Sequence, residues 1–182
     1  MTSVATIPRD GLAVLRDGSE VLIRPVRPAD AALLADGFTR LSTESRRLRF
    51  LTAKNELRPA ELRYLTDIDH HDHEAIGALN AADGQGAGIA RYIRNPADPR
   101  TAEIAVTIAD GWQGRGLGTE LVTRLADHAR REGVQRFVAL TAGSNMAMGA
   151  LLRRMGGTVV DREYGTLEYE LPLASAPLPQ AG

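Results

Sequence analysis

Three glycines at alternate positions, Gly114, Gly116 and Gly118, separate two apolar segments of different periodicity. The segment 104–109 is a short apolar run, which predicts a buried strand. In the segment 117–129, apolar residues recur three and four positions apart, which predicts an amphipathic helix. A glycine-rich turn that leads into a helix leaves several backbone N–H groups pointing one way, at the positive end of the helix dipole. This stretch therefore predicts a binding site for a diphosphate.

Two other phosphate-binding loops fit the same stretch poorly. A P-loop needs Lys-Ser or Lys-Thr after its last glycine, and neither follows here. A dinucleotide fingerprint has the spacing G-x-G-x-x-G and opens a βαβ repeat, whereas these glycines are spaced G-x-G-x-G and lie late in the chain. A strand-to-helix turn without a ligand is the remaining alternative, but a turn alone does not need glycines at this density.

The pattern Gln113-x-x-Gly116-x-Gly118, after a predicted strand and before a predicted helix, resembles the Q/R-x-x-G-x-G/A loop of the GNAT acetyltransferase superfamily. In that family, main-chain amides of the loop bind the pyrophosphate of acetyl-coenzyme A (acetyl-CoA). The resemblance extends over residues 21–171. Within the superfamily, the chain most resembles the catalytic domain of bacterial protein-lysine acetyltransferases, through the three segments 41–50, 67–71 and 102–106.

The predicted elements and the resemblance together imply an α/β fold with one mixed, mostly antiparallel sheet and helices on both of its faces. In the family, the fourth strand (here 101–108) and the fifth strand (here 136–141) splay apart around acetyl-CoA. Residues 1–171 are expected to form a single domain, and the Pro- and Ala-rich tail 172–182 is expected to be disordered. The other predicted strands are 20–26, 74–81, 88–94, 158–163 and 167–171, and the predicted helices begin at Pro28, Ser42, Arg58, Leu117 and Asn145.

The composition excludes several classes of protein. The chain of 182 residues has no cysteine, which rules out disulfides, thiolate metal sites and a thioester intermediate on the enzyme. A net charge of −1 gives no electrostatic reason to expect a nucleic-acid partner. The apolar runs are too short to span a membrane, and we find no secretory signal. We therefore expect a cytoplasmic protein without a membrane partner, as a monomer or a homodimer.

Glu103 is the candidate catalytic base. It is the lone acid in the apolar segment 102–106, where burial would make its carboxylate a stronger base, and several GNAT enzymes carry a glutamate base on this strand. The alternative is an acid on the solvent face of an edge strand. Strand alternation places Glu103, Ala105 and Thr107 on one face. A bulge, which the family usually has in this strand, would reset that count.

The resemblance also implies a set of contacts with acetyl-CoA. The backbone of the fourth strand would pair with the pantetheine amides, and an N–H near Val106 or Ile108 would hold the thioester carbonyl. Arg115 would either contact the phosphates or remain a solvated loop cation. Asn145 would contact the cofactor, cap a helix, or do both. The implied cofactor-binding residues are Val106, Thr107, Ile108, Gln113, Gly114, Arg115, Gly116, Leu117, Gly118, Thr119 and Asn145.

One position departs from the family pattern. Many members carry a tyrosine four residues before the Gly-Phe that ends the late helix. This tyrosine protonates the leaving thiolate. Leu152 occupies that position here, and Gly157 replaces a phenylalanine. A leucine cannot donate a proton, although a thiolate with a pKa near 8.5 is a tolerable leaving group without an acid. Ser144 is the substitute that we consider.

Two polar clusters keep more than one interpretation. The histidines of the segment 67–74 lie among acids but lack an H-x-x-x-H spacing and cysteines, so we expect no metal site. This loop could instead line the acceptor cleft, where His71 or His73 would relay protons. The basic run 46–49 is either a solvated helix face or a contact to the acceptor or to the 3′-phosphate of the cofactor.

The leading functional hypothesis is an acetyl-CoA-dependent N-acetyltransferase that acetylates a primary amine by direct transfer in a ternary complex. The resemblance implies that a protein lysine is the acceptor. A small amine or an amino acid is the alternative acceptor, because it would use the same cofactor chemistry. A third hypothesis is a non-catalytic CoA-binding sensor, and the missing tyrosine is the feature that favours it.

Overall fold

The computed structural model describes residues 10–173, in one eight-stranded sheet with five α-helices. The strands are β1 (Gly11–Val14), β2 (Glu20–Pro25), β3 (His73–Asn80), β4 (Gly86–Asn95), β5 (Asp98–Ile108), β6 (Arg136–Ala142), β7 (Thr158–Glu163) and β8 (Thr166–Pro172). The helices are α1 (Ala31–Arg40), α2 (Thr43–Phe50), α3 (Pro59–Thr66), α4 (Leu117–Arg131) and α5 (Met146–Arg154).

The sheet has the strand order β1-β2-β3-β4-β5-β6-β8-β7. Every neighbouring pair is antiparallel except β5 and β6, which run parallel. The predicted mixed and mostly antiparallel sheet is therefore confirmed. Asp83 and Gly84 lie in the turn between β3 and β4, where Gly84 adopts a φ of 72° that favours glycine.

Helix α4 covers one face of the sheet with the apolar stripe that its periodicity predicted. Leu121, Val122 and Leu125 are fully buried, and they belong to the same core cluster as Tyr92 of β4 and Phe137 of β6. Helices α1, α2 and α3 lie on the opposite face. Helices on both faces are thus confirmed, and no helix within residues 10–173 is both long and apolar enough to cross a membrane.

The end of the sheet corrects one predicted boundary. Pro172, predicted to start a disordered tail, pairs with Arg136 in the last rung between β6 and β8. Leu173 is buried, and its amide donates to the carbonyl of Gln135 at 2.8 Å. Strand β8 and the residue after it bury Leu171 and Leu173, so ordered structure continues past the composition change that suggested the tail. The predicted loose segment 1–9 and the rest of the predicted tail, 174–182, lie outside the described residues.

Candidate functional site

The two parallel strands diverge and open a gap beside the glycine-rich loop. Strands β5 and β6 pair only through Thr101, Ala102 and Glu103, and Glu103 opposite Val138 is the last pair. Beyond it the strands separate, as the predicted splay requires. We call this opening the β5–β6 gap.

The backbone of β5 presents amides to this gap. The amide of Ala109 donates to the carbonyl of Ala87, the residue before Gly88 in β4, at 2.9 Å. Because hydrogen-bonding direction alternates along an antiparallel strand, the amides of Val106 and Ile108 point away from β4 and toward the gap. The amide of Thr107 points toward β4 and not toward the gap, although Thr107 lines the cleft described next.

The glycine-rich loop lies at one end of a cleft with a volume of about 460 Å³, which we call the main cleft. Within the described part of the chain, no oxygen accepts a hydrogen bond from the amides of residues 114–119. The hydroxyl of Thr119 is buried and also has no described partner. These donors stand at the amino end of α4, where the helix dipole favours an anion. The site therefore has the chemistry of an anion cradle.

Two glycines of the loop have backbone conformations that other residues rarely adopt. Gly114 has a φ of 76° and Gly116 has a φ of 92°. A Cβ atom at Gly116 would lie 3.2 Å from Nε of Arg16, so a side chain there would also crowd the cleft wall. The glycine pattern thus reflects both the turn geometry and the space above it.

The side chain of Arg115 does not line the main cleft, which corrects one predicted contact. Its guanidinium reaches the β1–β2 turn, with Nη1 at 3.1 Å from the carboxylate of Asp17 and 3.0 Å from the hydroxyl of Ser19. The guanidinium also lies 4.9 Å from the ring centroid of Trp112. Arg16 lines the cleft instead, and its amide donates to the carbonyl of Arg115 at 3.3 Å. No local sequence signal marks Arg16, because β1 and the loop meet only in the folded chain.

The remaining predicted contacts converge on the main cleft. Asn145 caps α5, since its side-chain oxygen accepts from the amide of Met148 at 3.1 Å, and it also lines the cleft. Gln113 lines the cleft and donates to the carbonyl of Ile108 at 3.2 Å. The structure thus brings together all the predicted cofactor-binding residues except Arg115: Val106, Thr107, Ile108, Gln113, Gly114, Gly116, Leu117, Gly118, Thr119 and Asn145.

Asp110 joins this loop to helix α2, a link that the sequence analysis missed. Its carboxylate accepts from the amide of Ser42 at 2.7 Å and from the hydroxyls of Ser42 and Ser45. Burial disfavours the charged carboxylate, but the hydrogen bonds from Ser45 and Ser42 outweigh it and hold the pKa of Asp110 below its usual value. Helix α2 is thereby fixed against the end of β5.

Glu103 lies in a smaller cavity of about 200 Å³ that continues the main cleft. The two share Leu48, Arg49, Val106, Asn145 and Met148 in their linings. We call the smaller one the Glu103 cavity.

The predicted burial of Glu103 is wrong, because its side chain is exposed. The predicted bulge is also absent between Ala102 and Ile108, where β5 stays in continuous register with β4. Strand alternation therefore holds, and Glu103 points to the face opposite α4. Nor does Glu103 lie on an edge strand, since β5 is flanked by β4 and β6. It sits at the point where β5 and β6 part.

The chain also matches a known protein family. The acetyltransferase (GNAT) domain family matches residues 20–158. This chain belongs to the GNAT acetyltransferase family. The predicted family membership is therefore confirmed.

Named relatives agree with the narrower resemblance. The chain is 34% identical over 157 residues to the acetyltransferase Pat of Mycolicibacterium smegmatis, which covers 86% of this chain and 47% of that protein. It is 40% identical over 144 residues to the acetyltransferase PA5475 of Pseudomonas aeruginosa, covering 78% of this chain and 77% of that protein. The GNAT domain of S. lividans PAT has a TM-score of 0.83 at 28% identity and covers 90% of this chain and 96% of that one. The chain thus spans about half the length of the M. smegmatis protein.

The GNAT tyrosine position is closed to the cleft in this chain. Leu152 is fully buried in the core, and its carbonyl accepts from the amide of Gly157 at 2.8 Å. A Cβ atom at Gly157 would lie 2.9 Å from that carbonyl oxygen, which accounts for the missing phenylalanine. Ser144 accepts a hydrogen bond from Arg47 at 3.3 Å and lines neither the main cleft nor the Glu103 cavity.

The histidines of the segment 67–74 line neither the main cleft nor the Glu103 cavity, so the predicted role of His71 or His73 in the acceptor cleft stays a prediction. His71 contacts Glu132, the residue after α4, with Nδ1 at 2.5 Å from the carboxylate. His70 and His128 both contact the buried Glu74. His70, His71 and His128 lie near the end of α4, whereas the main cleft lies at the beginning of α4. The described residues hold no group of three or more His, Cys, Asp or Glu side chains placed to bind a metal.

His73 should make the stability of this protein depend on pH. Nη1 of the buried Arg91 lies 2.9 Å from its Nε2, and burial together with the charge of Arg91 lowers the pKa of His73 to about 4. An unfolded histidine titrates near 6.5, so the unfolded chain binds more protons between pH 6.5 and pH 4 and stability falls as the pH falls through that window. Allowing for partial exposure, we expect a loss of about 1 kcal/mol between pH 7 and pH 5.

The variant His73→Gln removes this titration while keeping an acceptor for Arg91. Its melting temperature should therefore fall about 2–4 °C less than that of the wild type between pH 7 and pH 5. Equal losses in the two proteins would show that His73 does not titrate differently on folding.

Proposed function

We propose that this GNAT enzyme transfers the acetyl group of acetyl-CoA directly to a primary amine, and that the acceptor is a protein lysine. One observation carries the proposal. The main cleft joins the free amides of residues 114–119 to the gap-facing amides of Val106 and Ile108, and it continues into the cavity that holds Glu103. The main cleft and the Glu103 cavity thus present, in order, hydrogen-bond donors for a diphosphate, a strand edge for a pantetheine and a carboxylate for a reacting amine.

The residues of the main cleft fit the donor. The loop amides and the hydroxyl of Thr119 would hold the diphosphate, and their lack of described partners leaves them free to do so. Arg16 and Arg154 line the same cleft and would complement further phosphate charge. The edge of β5 would hydrogen-bond the pantetheine as another strand would.

The transfer itself needs a neutral amine and a stabilised oxyanion. A lysine amine has a pKa of about 10.4, so deprotonating it at neutral pH costs about 4.6 kcal/mol. Glu103 would take this proton, directly or through a water, as the new N–C bond forms. The amide of Val106 or Ile108 would hold the oxygen that becomes negative. The C–S bond then breaks and releases the thiolate, for which Leu152 provides no acid.

The Glu103 cavity supports a large acceptor. Leu51 and Leu140 line it, and their exposed fractions are 36% and 51%. Exposed apolar side chains beside an open site favour contact with another protein surface. Leu51 and Leu140 carry no charge, so they support a protein acceptor through packing and not through attraction of the lysine charge.

An acetyl-transfer screen tests the proposal. Acetyl-CoA would be supplied with lysine-containing peptides, folded proteins and a panel of small amines, and free CoA would be measured. We expect turnover with lysine in a protein or peptide. Turnover with small amines alone would contradict the protein acceptor, and cofactor binding without any turnover would identify a CoA sensor.

Replacing Arg16 and Arg115 with glutamine, one at a time, tests which of the two side chains contacts the cofactor. We expect Arg16→Gln to raise the KM for acetyl-CoA by about tenfold or more, because a charge-assisted hydrogen bond contributes about 1.5–3 kcal/mol. Arg115→Gln should leave KM within about twofold, since its guanidinium is held by Asp17 and Ser19. Steady-state kinetics at saturating amine would decide, and the reverse ranking would contradict the assignment.

Several expectations keep the status of predictions. These are the cytoplasmic location, the monomeric or homodimeric state, the absence of nucleic-acid and membrane partners, and the single domain over residues 1–171.

A further inference from the structure

A further cavity lies on the face of the sheet opposite α4 and has no part in the acetyl transfer to a protein lysine proposed above. Helices α1, α2 and α3 cover it, its volume is about 120 Å³, and its lining is mostly apolar. We call it the apolar cavity. A cavity of 150 Å³ holds a benzene molecule, so this one has room for about four to six carbon atoms.

Three glycines from three different elements keep the apolar cavity open. Gly37 lies within α1, Gly77 within β3 and Gly86 at the start of β4, and all three line the cavity. None has a positive φ, and a Cβ atom at any of them would approach no atom closer than 3.8 Å. Glycine within a helix or strand is less stable than alanine. Neither backbone geometry nor crowding therefore requires these glycines, whereas room for an occupant of the cavity would require them.

The charges that line the apolar cavity are not balanced. Arg24 is neutralised by Asp30 through two hydrogen bonds of 2.7 Å. Arg91 is only 4% exposed, yet it donates to neutral partners, the carbonyl of Leu65 at 3.2 Å and His73 at 2.9 Å. Burial and the charge of Arg49 lower the pKa of Arg91 to about 10.

Arg49 is the second cation without a close acid. Its guanidinium lies 4.9 Å from the ring centroid of Phe50, and no hydrogen bond to it is found among residues 10–173. No carboxylate in the described chain lies within 4.0 Å of Arg49 or Arg91, although Glu103 acts on Arg49 from farther away. Partly desolvated cations without a counter-ion are costly, so a carboxylate placed between them would be stabilised.

The sheet register connects the end of the apolar cavity near Arg49 and Arg91 to the part of its wall that Gly77 forms. Arg24, Gly77, Ile89 and Thr107 are direct neighbours across β2, β3, β4 and β5 and all line the apolar cavity. Thr107 and Arg49 also line the main cleft. Neighbouring strands are about 4.8 Å apart, so Gly77 lies about 10 Å from Thr107. A chain that starts at Arg49 would run over Ile89 toward Gly77.

We propose that the apolar cavity binds a short branched or linear carbon chain that ends in a carboxylate. The carboxylate lies at Arg49 and Arg91, and the carbon chain lies over Ile89 and Gly77. Such a group belongs either to a free carboxylic acid or to an apolar amino acid whose amine reaches the Glu103 cavity, which Arg49 also lines. Only the second source rests on the proposed acetyl transfer.

Binding of 4-methylpentanoate to the whole chain, without acetyl-CoA, tests the proposal by calorimetry. We expect it to bind at least tenfold more tightly than 4-methylpentanamide, which has the same shape without the charge. Arg49→Gln should reduce the affinity for the acid to that for the amide. Equal affinities of the acid and the amide for the wild type, or no binding of either, would overturn the proposal.

The glycines offer a control against misfolding. Gly37→Ala and Gly77→Ala should weaken binding of 4-methylpentanoate at least fivefold while raising the melting temperature by about 1–4 °C. Gly111→Ala, which meets no atom within 4 Å and lies outside the cavity, should leave binding unchanged. If both cavity variants bind like the wild type, the cavity is not the site.

Leucine distinguishes the two sources of the carboxylate. Acetylation of leucine, lost in Gly77→Ala while acetylation of a lysine peptide is kept, identifies an amino-acid acceptor. Binding of the free acid without acetylation of leucine identifies a separate carboxylate ligand. Because the calorimetry needs no turnover, its failure leaves the proposed acetyl transfer untouched, and a failure of acetyl transfer leaves the binding result intact.

Discussion

Replacing Glu103 with glutamine should lower kcat for acetyl transfer by about 10²–10⁴-fold and leave the Kd for acetyl-CoA within about twofold. The variant keeps the shape of the side chain but cannot accept the proton of the attacking amine. Glu103 stands at the last β5–β6 pair, next to the gap-facing amides but outside the main cleft. The loss should therefore fall on the chemical step and not on cofactor binding.

The pH dependence and a matched control make this test specific. The residual rate of Glu103→Gln should rise with pH as the attacking amine loses its own proton, because no side chain then takes that proton. Glu163→Gln makes the same change on an exposed residue of β7 that lines neither the main cleft nor the Glu103 cavity, and it should not alter kcat. An unchanged kcat in Glu103→Gln, measured by CoA release at saturating substrates, would remove Glu103 from the mechanism.

Replacing Gly116 with valine should weaken acetyl-CoA binding by about a hundredfold or more, which corresponds to about 2.7 kcal/mol. A branched side chain is strained at a φ of 92°, so the loop should shift. The added atoms would also lie where a Cβ already meets Nε of Arg16 at 3.2 Å. Both effects would turn the amides of residues 114–119 away from a common target.

Gly84→Val is the matched control for this loop variant. Gly84 also has a positive φ, 72°, but it lies in the β3–β4 turn with no atom within 4 Å of an added Cβ. Both variants should lose similar stability in thermal unfolding, and only Gly116→Val should lose cofactor affinity in calorimetry. Similar affinities in the two variants would mean that the loop does not hold the cofactor.

Local patterns were sufficient to predict the elements that build the site. The apolar stripe of α4 appears in the sequence as a 3.6-residue period, and the structure buries Leu121, Val122 and Leu125 as that period requires. The loop glycines were recognisable because positive φ restricts the residue type. Ser42 and Asn145 were predicted at helix starts, and each accepts the capping hydrogen bond there.

Long-range contacts explain what the sequence did not reveal. Arg115 looked like a phosphate ligand because it lies in the loop, yet Asp17 and Ser19 draw it to the β1–β2 turn, nearly a hundred positions away in the chain. The exposure of Glu103 depends on the register between β4 and β5, which is continuous where the family resemblance implied a bulge. Which charged side chains surround Arg49 likewise depends on how α2 packs against the sheet. The hydrophobic periodicity of the sequence does not predict that packing.

Titration of the wild-type protein with acetyl-CoA and with acetyl-pantetheine tests the central claim most directly. If the amides of residues 114–119 hold a diphosphate, acetyl-CoA should bind one to one, and acetyl-pantetheine, which lacks the diphosphate, should bind at least a hundredfold more weakly. Equal affinities for the two compounds, or no heat and no thermal shift with acetyl-CoA at millimolar concentration, would contradict the account.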